Sequence, residues 1–163
     1  MRLAQTLLDA ARRKNLMLVT AESCTGGMVG AAITDIAGSS AIFDRAFITY
    51  TNAAKMQMLG VSDQTLREYG AVSEPVASEM AQGALRHSDG DIAVSITGIA
   101  GPGGSEHKPE GRVCFGIATK DDCTTQTIEF GPRGRASVRT AATQHALSLL
   151  YQAVIANRAD SYL

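Results

Sequence analysis

LMLVTAESCTGGMVGAAITDIAG, residues 16–38, is the stretch that decides the fold. Its first five residues, Leu16 to Thr20, are a short apolar run that reads as a buried strand. A polar loop at 21–25 follows. Over 26–37 the positions Met28, Ala31, Ala32, Asp35 and Ile36 recur at helical intervals. Strand, tight turn and helix in that order begin an α/β unit.

The flanks extend the pattern. Leu3, Leu7, Leu8 and Ala11 predict an amphipathic helix over 2–14, ended at Lys14-Asn15. Ala46 to Thr51 reads as the next strand, and Asn52 as the N-cap of a helix that carries Lys55, Met56 and Leu59 and stops at Gly60. Ser62 caps a short helix at 63–69, ended by Gly70. Ser73-Glu74-Pro75 opens another, with serine as cap and proline in the first turn. Asp91 to Thr97 predicts a central strand. Gly98 to Gly111 is a loop with five glycines and two prolines. Arg112–Thr119 and Thr124–Phe130 read as a hairpin around Lys120-Asp121-Asp122, and 133–156 as a terminal helix. This order predicts a three-layer α/β/α sandwich with a mixed sheet, as one domain over 1–163.

Composition excludes several classes. Fifteen basic residues against 16 acidic leave a net charge of −1, which gives no global attraction to nucleic acid or anionic membrane. Cys24, Cys114 and Cys123 form no CxxC, and the three histidines lie in no standard zinc spacing, so neither a disulfide scaffold nor a metal site is expected. The thiols suit a reducing cytoplasm. The N-terminus lacks the apolar core of a signal peptide, and no apolar run approaches the ~18 residues of a membrane span. Apolar helix faces allow a homo-oligomer, most simply a dimer.

Three segments carry candidate chemistry. In the first turn, Ser23, Cys24 and Thr25 precede Gly26-Gly27. Backbone amides converging at a helix start bind an anion or stabilise an oxyanion, and glycines allow close approach of a ligand. Ser23 and Cys24 are both eligible nucleophiles, and plain helix capping by Ser23 or Thr25 is equally consistent with the pattern. Glu22 is placed to orient this turn. A serine needs a base. Lys55, one turn into its helix, suits that role if desolvated, with Tyr50 to relay a proton or orient it; otherwise the pair are a surface lysine and a strand-end aromatic. The second segment, Thr97-Gly98-Ile99-Ala100-Gly101-Pro102-Gly103-Gly104-Ser105, follows the best strand, where α/β proteins place ligands; a flexible surface loop is the alternative, and Ser105, Glu106 and Lys108 read as solvated. His107 lies further along that loop and is the only histidine whose setting suggests function. The third, GPRGRASVR at 131–139, sets Arg133, Arg135 and Arg139 at a helix start, as a phosphate site or a surface cluster.

AESCTGGMVGAAITDIAGSS (21–40), FITYTNAAKMQMLGV (47–61), YGAVSEPVASEMAQGAL (69–85) and VSITGIAGPGGSEHKPEGRVCFGIA (94–118) together resemble the C-terminal domain of the CinA competence/damage-inducible proteins, known as nicotinamide-nucleotide amidohydrolases. The resemblance spans nearly the whole chain. It looks like the stand-alone form, without the N-terminal domain that larger members carry. It implies hydrolysis of nicotinamide mononucleotide to nicotinate mononucleotide and ammonia, with neither metal nor cofactor. The family's serine, tyrosine and lysine fall on Ser23, Tyr50 and Lys55. The resemblance implies oxyanion or substrate contacts from Cys24, Thr25, Gly26, Gly27, Thr97, Gly98 and Gly101. Phosphate contacts fall to Arg135 and Arg139, with Arg133 beside them. The second class consistent with the family's naming is a nucleotide-binding regulatory module with little catalysis.

Overall fold

A computed structural model describes residues 2–158. The elements are α1 (Arg2–Lys14), β1 (Leu18–Glu22), α2 (Met28–Thr34), β2 (Phe43–Ile48), α3 (Asn52–Leu59), α4 (Asp63–Tyr69), α5 (Glu74–Arg86), β3 (Ile92–Gly98), β4 (Arg112–Ala118), β5 (Cys123–Glu129) and α6 (Arg135–Ala156). A single 3₁₀ turn, Ser39–Ala41, precedes β2. The sheet order is β2-β1-β3-β4-β5. β2, β1 and β3 are parallel, and β4 and β5 are antiparallel additions. The mixed three-layer sandwich expected from the element order is the fold observed.

Side-chain size sorts the helices between the two faces. Leu18, Ile92, Val94, Ile96 and Phe115 point to the face covered by α1, α2 and α6. The opposite face carries Val19, Ala21, Ala93 and Ala118, against Val76, Met80, Ala81 and Ala84 of α5. Small residues there let α5 lie close: Ser95 Oγ donates to the Ala77 carbonyl at 2.6 Å, and a Cβ on Gly116 would stand 2.6 Å from that same oxygen. β1 is buried at every position, as a central parallel strand must be. The far ends of α1 and α6 are joined by Lys14, whose ammonium donates to the carbonyls of Val154, Ile155 and Asn157.

Several boundaries differ from the sequence reading. β1 begins at Leu18 rather than Leu16, because the Leu16 amide closes the end of α1 on Ala11 and the Met17 amide is taken by Asp91 Oδ2 at 2.8 Å. The strand therefore runs on through Ala21 and Glu22. β2 occupies 43–48, not 46–51: Leu18 pairs with Phe43, and the chain leaves the sheet after Ile48. Thr51, not Asn52, caps α3; its hydroxyl accepts from the Ala54 amide at 3.0 Å. α2 is shorter than 26–37, since Gly26 and Gly27 both have positive φ.

The register fixes where the loops meet. Glu22 lies opposite both Ile48 and Ile96, so the parallel strands end together. Gly98 pairs with Val113 and Arg112 with Glu129, which brings the start of β4 and the end of β5 to that same edge. The turns after β1, β2 and β3 and the start of α6 converge there.

Candidate active site

Ser23 sits one residue beyond β1, its amide still in the sheet and donating to the Ile96 carbonyl at 2.9 Å. Lys55 approaches from the first turn of α3. Its Nζ lies 3.0 Å from Ser23 Oγ, and donates to the Thr49 carbonyl at 3.0 Å and the Tyr50 carbonyl at 3.1 Å. Lys55 is only 1% exposed and, among the described residues, has no carboxylate partner in an ion pair. Burial lowers its pKa from 10.5 to about 8. The chemistry follows from valence. A neutral amine has two N–H bonds and one lone pair. Two of its three neighbours are carbonyls that can only accept, so the lone pair is left facing the Ser23 hydroxyl.

The turn that carries Ser23 is held from beneath by a buried carboxylate. Glu22, fully buried, accepts from Thr20 Oγ1, Thr25 Oγ1 and the amides of Gly27, Val29 and Gly30 at 2.7–3.0 Å. The anion at the start of α2 is thus part of the chain itself. Gly27 is not free to meet an oxyanion, and the Gly26 amide donates to the Ser23 carbonyl at 3.1 Å. Of the four amides from Cys24 to Gly27, those of Cys24 and Thr25 have no protein acceptor among the described residues. Their carbonyls are gripped from behind by Arg139, through Nε to Cys24 at 2.9 Å and a guanidinium nitrogen to Thr25 at 3.4 Å.

Ser23 lines the inner of two adjoining cavities. The inner one, about 180 Å³, is lined by Ser23, Cys24, Tyr50, Lys55, Thr97 and Gly98, with Ala71, Val72, Ala100 and Arg135 at its rim. The outer one, about 270 Å³, is walled by residues 98–106 and shares Tyr50 and Arg135 with the inner. Together they fall in the size range of small-molecule sites. Arg135 donates to the Gly101 carbonyl at 2.6 Å and to the Tyr50 hydroxyl at 2.9 Å. It is therefore the Tyr50 carbonyl that meets Lys55, while the phenol is turned outward to Arg135. Thr97 Oγ1 is committed to the Ala71 carbonyl at 2.9 Å.

The other sequence candidates are less suited to the chemistry. Burial pushes the Cys24 thiol up to about 12, which withholds the thiolate a cysteine nucleophile needs. Arg133 lies over the Phe130 ring, 5.9 Å from its centre. His107 is exposed in the long loop, His87 Nδ1 is 2.8 Å from the Gly83 carbonyl, and His145 Nε2 is 2.6 Å from Gln126 Oε1. Among the described residues no group of three or more His, Cys, Asp or Glu could hold a metal, and no helix is long and apolar enough to cross a membrane. The sequence reading passed over Glu110, which accepts from Gly103 at 2.7 Å and Gly134 at 3.1 Å. It takes Lys108 as solvated, whereas the Lys108 ammonium ties the loop to the Tyr69 and Val72 carbonyls. Neither has a local signature, because their partners come from other segments.

Comparison with known proteins gives the chain's family. Residues 1–154 match the CinA C-terminal domain family model. The chain is 51% identical over 158 residues to the nicotinamide-nucleotide amidohydrolase PncC of Escherichia coli strain K12, covering 96% of each. It is 47% identical over 155 residues to a putative competence-damage inducible protein of Caldicellulosiruptor saccharolyticus, of which it spans 37%. A competence/damage inducible protein from Agrobacterium tumefaciens superposes with a TM-score of 0.90 at 45% identity, over 94% of this chain and 93% of that one. A CinA superfamily protein from Klebsiella pneumoniae gives 0.92 at 33% identity, over 96% and 98%. The chain belongs to the CinA C-terminal domain family.

Proposed function

We propose that this member of the CinA C-terminal domain family is a nicotinamide-nucleotide amidohydrolase, converting nicotinamide mononucleotide to nicotinate mononucleotide and ammonia. The observation that carries this reading is the buried Lys55 amine 3.0 Å from Ser23 Oγ, at the floor of a cleft. The strong likeness to PncC over nearly the full length of both chains supports the same substrate.

In the proposed mechanism neutral Lys55 Nζ takes the Ser23 proton as Oγ attacks the carboxamide carbon. The open amides of Cys24 and Thr25 are the best-disposed donors for the resulting oxyanion, since Gly26 and Gly27 are engaged. The ammonium of Lys55 returns its proton to the departing nitrogen, and ammonia leaves. Water then attacks the acyl-enzyme, with Lys55 again as base. Tyr50 and Arg135, at the junction of the two cavities, bind the ribose-phosphate side, and Arg135 supplies the charge for the phosphate. Three free cysteines, Cys24, Cys114 and Cys123, fit a reducing cytoplasmic setting.

Ammonia release from nicotinamide mononucleotide by the purified protein tests the reading, with Ser23→Ala as control. The expected result is turnover in the wild type and a loss of roughly 10³-fold or more in the variant. Near-normal turnover by a folded Ser23→Ala protein would remove the serine assignment. Nucleotide binding by the wild type without ammonia release would mark a binding module instead.

A further inference from the structure

Glu110 is half-buried in the loop between β3 and β4, outside both cavities. Its two carboxylate oxygens are used separately. Oε1 accepts from the Gly103 amide at 2.7 Å, in the wall of the outer cavity, and Oε2 accepts from the Gly134 amide at 3.1 Å, directly before α6. The same carboxylate lies against the back of Gly101, where φ is +95° and a Cβ would stand 2.8 Å from Oε1. Arg135 is the residue after Gly134, and its guanidinium donates to the Gly101 carbonyl. One side chain therefore bonds Gly103 and Gly134 and backs Gly101, while Arg135, which lines both cavities, follows Gly134 and donates to Gly101.

We propose that Glu110 is a positioning residue for the phosphate-bearing end of the substrate: by stapling Gly103 to Gly134 it holds the cleft wall and the base of Arg135 in one arrangement. This rests on the amidohydrolase reading and on Arg135 meeting the phosphate. The chemistry calls for a carboxylate. Two N–H donors arrive from segments distant in the chain, and only a group with two acceptor oxygens and no N–H of its own satisfies both. A glutamine keeps one acceptor and turns an NH₂ toward the second donor. The negative charge faces amides and lies behind the loop, so it orders the wall without occupying the cavity. Ser23 and Lys55 are held through Glu22, Arg139 and the β2–α3 carbonyls, and they share with Arg135 only Tyr50, whose carbonyl faces Lys55 and whose hydroxyl faces Arg135. Losing the staple should therefore loosen phosphate binding and spare the chemical step.

The test is steady-state kinetics of Glu110→Ala and Glu110→Gln with nicotinamide mononucleotide and with the phosphate-free nicotinamide riboside, alongside calorimetric binding of nicotinate mononucleotide. In Glu110→Ala, KM for the mononucleotide and Kd for the product should each rise roughly tenfold, with kcat within about twofold. Glu110→Gln should fall between, and kcat/KM for the riboside should not move. An unchanged or lowered KM for the mononucleotide overturns the inference alone. So does a fall in kcat shared by both substrates, which marks a general structural role. Absence of wild-type turnover together with absence of product binding overturns both this inference and the reading beneath it.

Discussion

Two glycine-rich segments leave parallel strands at the same edge of the sheet, and each is held by a glutamate. The turn after β1 is held by Glu22, fully buried, with five donors converging on it. The loop after β3 is held by Glu110, half-buried, with two. The first presents Ser23, which in the proposed mechanism must meet Lys55 and an acyl carbon with little tolerance. The second walls a cavity that has to admit and release a nucleotide. On the proposed mechanism, rigidity is concentrated where a bond is made, and the looser staple sits where a ligand passes.

The largest effect separating the two segments should be catalytic. Lys55→Met removes the base, and kcat should fall by roughly 10³-fold or more, whereas Arg135→Ala should act mainly on KM. In the wild type kcat/KM should rise about tenfold per pH unit below pH 8 and level off above it, because only neutral Lys55 accepts the Ser23 proton. A flat profile from pH 6 to 9 would falsify the assignment of Lys55 as base.

Stability comes next. Glu22→Ala leaves buried amides and hydroxyls without an acceptor and should destabilise the fold by roughly 3–5 kcal/mol, lowering Tm by about 6–20 °C. Glu110→Ala should cost less than ~1 kcal/mol, since water can reach its partners. Equal shifts in thermal denaturation would break the comparison.

Lys55→Met should itself be stabilising near neutral pH. Lowering a lysine pKa from 10.5 to about 8 disfavours the folded state by about 3 kcal/mol while the group is charged. That penalty is present in full below pH 8 and is relieved as pH rises from 8 toward 10.5. The variant's advantage is also offset by the Thr49 and Tyr50 carbonyls it leaves unpaired. A net gain of about 1–2 kcal/mol at pH 7 that shrinks by pH 10 is expected from denaturant titrations. A gain that grows with pH would reverse the sign and exclude a depressed lysine. The smallest effect is expected beside this lysine, at Thr49, whose buried Oγ1 has no hydrogen-bond partner among the described residues. Thr49→Val keeps the shape and should leave stability unchanged or raised by up to ~1 kcal/mol, with kcat within about twofold.

What could be read from the sequence was what is encoded locally. Helix and strand periods, the serine caps at Ser62 and Ser73 and the stops at Gly60 and Gly70 depend on neighbours a few positions away. They sufficed for the element order and hence the layered fold. Boundaries slipped where a distant group intervened, as when Asp91 took the Met17 amide from the sheet. The site divided in the same way. Residue types and motif resemblance nominated Ser23, Tyr50, Lys55 and the arginines, but not their mutual geometry. The 3.0 Å approach of Lys55 to Ser23 depends on β1 pairing with β2 in one register. Arg139 lies against the Cys24 and Thr25 carbonyls because α6 crosses behind α2, and Arg135 enters the cleft because β5 delivers it to that edge. The glycine-rich turn read as a ready anion site; the structure fills it with Glu22 from the preceding strand. Local pattern determined which elements form, because hydrogen-bond period and burial are short-range constraints. Packing across the sheet decided which donors were already spent and which remained for a substrate, because their partners lie far along the chain.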